Sequence, residues 1–124
     1  MFFISNNNQE LFKNIEEIGL THEIINKKDV LIKINLSRPY TTNLPRTDMP
    51  LLRTVINYIY KNGGKCTITE GANGYLTENL IASDFEDMLK QYKIKVIDVD
   101  SEDYDEVLSY GEHHYIPNAL KNTL

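Results

Sequence analysis

Lys33, Asn35 and Arg38 sit at and just beyond the end of an apolar run, Val30-Leu31-Ile32-Lys33-Ile34. If that run is a strand, its period of two puts Lys33 and Asn35 on one face, where both can reach a single ligand. A lysine that interrupts an apolar strand is costly unless its charge finds a partner or reaches water. With Arg38 and Arg46 nearby in the chain, the natural ligand is an anion, a phosphate or a carboxylate. The plainer alternative is that Lys33 runs out to solvent at a sheet edge and the arginines are ordinary surface charges.

A second group is Glu70-Gly71-Ala72-Asn73-Gly74-Tyr75. Its glycines permit backbone conformations closed to other residues, or a close approach to a ligand. It lacks the Gly-Lys-Ser/Thr ending of a P-loop and does not spell G-x-G-x-x-G. Glu70 is open to three roles: a base, a metal ligand, or a hydrogen-bond anchor for a neighbouring loop. Turn-making by Gly and Asn is the simpler account of the rest. A third group, Asp98 to Asp103, starts like a calcium loop, but Asp103 stands where glycine is needed and Ser109 where the closing glutamate is needed. It reads as a solvated acidic turn.

Other reactive residues point nowhere. His113 and His114 face opposite sides of a strand, and His22 stands alone in a loop. Spacing supports no Ser–His–Asp or Cys–His arrangement. Cys66, the one cysteine, excludes an internal disulfide framework and a Cys-rich zinc or iron–sulfur site within one chain, and reads as a small buried hydrophobe.

The elements that must position these residues follow from the apolar spacing. Leu11, Ile15 and Ile18 recur at helical intervals after Asn7, with Glu10 as a capping-box acid and Gly19 as the stop. Val30 to Ile34 reads as a buried strand and Leu36 to Arg46 as a polar loop. Asp48 is an N-cap, and Pro50 fits the first turn of a helix with Leu52, Val55, Ile56 and Ile59 inward, ended by Gly63-Gly64. Cys66 to Thr69 is the second strand and Gly71 to Thr77 a loop. A short helical turn is expected at Glu78 to Ala82. Ser83 with Glu86 then forms a capping box for a helix with Phe85, Met88, Leu89 and Tyr92 inward. Ile94 to Val99 is the third strand. Val107 to Tyr110 and His114 to Ile116 suit a hairpin about Gly111-Glu112, with a last turn at Asn118 to Asn122.

Strand, helix, strand, helix, strand at these lengths implies parallel strands. The expected fold is α/β: a three-layer βαβαβ, Rossmann-like parallel sheet with a short C-terminal hairpin, in a single domain over residues 1–124. In such a sheet, ligands bind outside the carboxyl ends of the strands, where Asn35 to Asp48, Glu70 to Thr77 and Asp98 to Ser101 converge.

Composition narrows the partners. With 41% hydrophobic and 25% charged residues, the chain is globular. A net charge of −5 and the lack of a compact basic stripe speak against nucleic acid. No apolar stretch approaches the roughly 20 residues of a membrane span, and the first residues lack the basic start of a signal peptide. A cytoplasmic protein is expected.

Val30-Leu31-Ile32-Lys33-Ile34-Asn35-Leu36 resembles the "vlIKpNl" opening of domain-of-unknown-function family 362. The Pro-containing loop, Thr47-Asp48 before a helix, Gly63-Gly64-Lys65 before a strand and Glu70-Gly71 at its end agree. The likeness runs from about Asp29 to Asp100, the N-terminal part of the longer family members, with Ile34 in place of the usual proline. It implies a bacterial or archaeal α/β domain of no settled activity, sometimes found beside ferredoxin-type modules, whose cysteines this chain lacks. By motif it implies Lys33, Asn35, Thr47, Asp48 and Glu70 as candidate ligand-binding positions.

The expectation is therefore a binding module for a small anionic molecule, held by Lys33, Asn35, Arg38, Thr47, Asp48, Glu70, Asn73 and Tyr75. No metal site is expected, and neither a cofactor nor a catalytic set is identified. Two alternatives stay open: an enzyme or enzyme fragment completed by a partner subunit, with Glu70 as base and Lys33 stabilising negative charge, and a docking domain that binds a second copy or a partner protein through Tyr40, Tyr75 and Tyr115.

Overall fold

The apolar periodicities become a parallel sheet with helices packed on it. The computed structural model describes residues 8–17, 19–36 and 46–120. Helix α1 (Asn8–Glu17) is followed by a short α2 (His22–Ile25), so His22 opens a helical turn rather than standing in a loop. The expected cap at Asn7, the residue Ile18 and the tyrosine Tyr40 lie outside the described residues.

Strands β1 (Asp29–Lys33), β2 (Lys65–Glu70) and β3 (Lys95–Asp98) pair in parallel in the order β1-β2-β3. Ile32, Ile68 and Val96 stand in one row, and Lys33, Thr69 and Ile97 in the next. Because side chains alternate, the Ile68 row and the Thr69 row face opposite sides. The central strand is buried on both, with Thr67 and Ile68 each at 0% exposure. Its hydroxyls are satisfied: Thr67 donates to the Asp29 carboxylate at 3.0 Å and Thr69 to the Ile97 carbonyl at 3.0 Å. β1 is an edge strand instead of the fully buried one expected, and Val30, Leu31 and Ile32 are half-buried.

Helix α3 (Met49–Lys61) starts where Asp48 accepts the Leu51 N–H at 2.7 Å, with Pro50 in the first turn where its missing donor costs nothing. Leu52, Ile56 and Ile59 are buried against the sheet. Helix α4 (Leu76–Ala82) begins earlier and runs longer than the expected turn, because Leu76 and Leu80 both reach the core. Ser83 terminates α4, its N–H bonded to the Asn79 carbonyl, so the Ser83–Glu86 capping box does not form. Helix α5 (Glu86–Tyr92) follows Phe85, which has no side-chain cap and is fully buried. Such a side chain contributes about 1.5–3 kcal/mol by leaving water.

α3 and α5 lie side by side. Arg53 forks onto the Asp87 carboxylate at 2.7 and 2.8 Å, reaches the Asp84 carbonyl and covers the Phe85 ring. Tyr60 and Tyr92 stack at 4.3 Å between ring centres.

A 3-10 turn (Val99–Ser101) leads to the antiparallel hairpin of β4 (Tyr104–Ser109) and β5 (Glu112–Pro117). Its turn is Tyr110-Gly111, one residue before the expected position, and both residues have positive φ, +53° and +80°. That is the two-residue geometry matching the twist of paired strands, and glycine meets it without strain. The 3-10 turn Asn118–Leu120 follows, and Lys121 and Asn122 lie outside the described residues. No described helix is long and apolar enough to cross a membrane.

Candidate functional site

The loops after β1 and β2 are each organised by a carboxylate from the end of the next strand. After β1, the Leu36 N–H donates to both oxygens of Glu70, at 2.7 and 2.8 Å. Glu70 ends β2 and is only 8% exposed. Asn35 and Thr47 close the base of the same loop: the Thr47 hydroxyl oxygen accepts the Asn35 N–H at 2.9 Å, and the Thr47 N–H donates to the Asn35 carbonyl at 2.7 Å. Asp48 then caps α3. Asn35, Thr47, Asp48 and Glu70 thus brace one loop at its two ends.

After β2, the pattern repeats with Asp98, which ends β3 beside Glu70 in the register. Asp98 accepts N–H groups from Ala72 at 3.0 Å, Leu76 at 3.1 Å and Asp100 at 3.2 Å. Asp100 accepts the Asn73 N–H at 2.9 Å. A Cβ on Gly71 would sit 2.9 Å from an Asp100 carboxylate oxygen, so a side chain there would force the Asp100 carboxylate to shift. The acidic turn is largely solvent-exposed, as at Asp100 and Asp103, but Asp98 and Asp100 also accept the amides of the loop after β2.

The edge is therefore rich in carboxylate. Burial raises the Glu70 carboxyl above its ordinary range, against the pull of the Leu36 N–H and of the Lys33 ammonium, and Asp98 and Asp100 add to the rise. Among the described residues, no group of three or more His, Cys, Asp or Glu side chains is arranged to hold a metal ion.

Of the three roles open to Glu70, the hydrogen-bond anchor is the one its geometry displays. Lys33 is exposed at the end of β1, and among the described residues no carboxylate lies within ion-pair distance of its ammonium. Arg46 is exposed, and Arg38 lies outside the described residues. Asn73, at φ +51°, and Tyr75, 62% exposed, stand on the second loop. Asp98 and Asp100 are the residues that sequence reasoning missed. The signal for them was faint: two acids flanking a strand end, opposite a loop with free amides. Cys66 is buried at 3% exposure, which pushes its thiol up to about 11.

No curated protein and no solved structure matches the chain. The family model described as "Domain of unknown function (DUF362)" matches residues 30–122, from β1 through the C-terminal hairpin, which extends the likeness beyond Asp100. The motif residues that brace the first loop all fall inside that span, and the chain belongs to this family.

Proposed function

We propose that the domain is a binding module that takes a small anionic molecule at the end of β1. The observation that carries this is Lys33: an exposed cation at the strand end that attracts Glu70 but lies beyond ion-pair distance of any described carboxylate, next to a loop fixed at both ends. Asn35, Thr47, Asp48 and Glu70 hold the loop in position, so their part is to shape the site. Arg46 supplies a second exposed cation, and Arg38 a third on sequence grounds alone. The second loop contributes less, since the amides of Ala72, Asn73 and Leu76 already serve Asp98 and Asp100. Asn73 and Tyr75 offer side chains there, not an amide cradle.

The enzyme alternative, with Glu70 as base, gains from the raised carboxyl. It loses more from geometry, because both oxygens are turned to Leu36 and nearly buried.

Thermal unfolding against phosphates, nucleotides and carboxylates tests the proposal, since ligand binding to the folded state raises the midpoint by mass action. A rise with one anion class, lost in Lys33→Ala, supports it. A panel without any rise, or a rise that Lys33→Ala keeps, removes Lys33 from the site.

A further inference from the structure

The C-terminal hairpin stands out from the body of the protein. Every residue from Tyr104 to Ile116 is exposed except Ser109. Its described ties to the rest are at the base, where the Tyr104 hydroxyl reaches the Val99 carbonyl and the Asn118 N–H meets Asp103. It nonetheless bears Val107, Leu108 and Tyr115 in the open, and a lone two-stranded hairpin is marginal in water. At its tip, Tyr110 holds a left-handed conformation that disfavours tyrosine, with its ring wholly in solvent.

The surface that matches this arm is on the opposite side of the charge map. The arm is acidic, with Asp103, Asp105, Glu106 and Glu112 and neither Lys nor Arg from 102 to 120. The beginnings of the parallel strands are basic: Lys27, Lys28, Lys61, Lys65, Lys93 and Lys95 are all exposed there. Sequence spacing scatters these lysines, but the Lys27–Gly63 and Lys65–Lys28 backbone bonds bring three of them, Lys27, Lys28 and Lys65, to one end of β1 and β2. Along β1 runs a cleft of about 310 Å³ lined mostly by apolar side chains, among them Ile15, Leu20, Ile25, Leu31 and Val55, with Lys33 at its margin. The backbone of Leu31 and Lys33 points away from β2 toward this free edge, as alternation with the Ile34–Thr69 bond requires.

We propose that two copies of this chain exchange arms, each seating the Leu108–Tyr110 tip of its hairpin in the β1 cleft of the other. The acids of the arm then meet Lys33 on the cleft and Lys27 and Lys28 at the start of β1, and the apolar tip leaves water. Reciprocal exchange closes as a two-fold dimer, the commonest symmetric assembly.

Sedimentation velocity of the full chain, from low to high micromolar, tests this. The expected species has twice the 14.4 kDa chain mass and dissociates as salt is raised. Leu108→Asp on the arm and Leu20→Glu on the cleft each return the chain to a monomer, with circular dichroism confirming that it is folded. Tyr110→Asn is the second arm variant: it suits the turn better than tyrosine, keeps the hairpin and loses the dimer. Mixing Leu108→Asp with Leu20→Glu leaves one intact arm and one intact cleft, and restores association absent from either alone. A monomer at every concentration overturns the proposal and hands the arm to a different protein. A dimer that survives the arm or the cleft substitution, or a mixture that stays monomeric, overturns it too.

Discussion

Glu70 and Leu36 meet across 34 residues of sequence, with the single N–H of Leu36 within 2.8 Å of both carboxylate oxygens. The bond ties the first loop to the end of the central strand, and both residues are buried there. Glu70→Ala strands the Leu36 N–H without its acceptor, which costs about 1–3 kcal/mol of stability. Glu70→Gln keeps one acceptor oxygen and costs less. Urea denaturation ranks the two, and equal losses would dissolve the role assigned to this bond.

The same carboxyl gives stability a pH dependence of known sign. Its folded pKa lies above the ordinary 4.5, so the folded state holds the proton more tightly than the unfolded chain does. Its contribution is therefore complete below about 4.5 and declines as pH rises through the raised value. Stability of the native chain minus that of Glu70→Gln should fall over this window. A difference that climbs with pH contradicts the assignment.

Gly71 and Asp100 should be energetically coupled. Gly71→Ala drives a Cβ to within 2.9 Å of the Asp100 carboxylate, which must turn aside and loosen its bond to the Asn73 N–H, a loss of about 1 kcal/mol. Asp100→Ala removes the obstacle at the cost of the Asn73 bond. In a double-mutant cycle the pair loses less than the sum of the singles. Strict additivity would mean that the loop yields freely at Gly71.

Cys66 should be inert in the folded protein. Burial holds its thiol at about 11, far from the thiolate range. Its labelling by a thiol reagent should track opening of the sheet and accelerate with urea. Rapid labelling under native conditions would place β2 in a far looser environment.

Much of this was legible in the chain. The β-branched runs at Val30 and Cys66, the Asp48 cap and the inward stripe of α3 specify their elements through local spacing, and the structure contains them. Ser83 misled because a correct pattern, Ser then Glu three residues on, fell where the end of α4 had already claimed the serine. The hairpin turn slipped by one residue because tyrosine is an unexpected occupant of a left-handed position. Asp98 and Asp100 escaped for a different reason. Their partners lie 22–27 residues away, and no local rule records which amides a strand end will meet.

Each loop waits for a carboxylate that comes later in the chain: Leu36 for Glu70, and Ala72, Asn73 and Leu76 for Asp98 and Asp100. During synthesis, which runs from the N-terminus at about 5–20 residues per second, the first loop cannot settle until residue 70 has left the ribosome. The second must wait for residue 100. The carboxyl edge of the sheet is thus assembled retrospectively, each strand finishing the work of the one before it. A ribosome stalled short of residue 98 would release the second loop with its amides still searching for an acceptor.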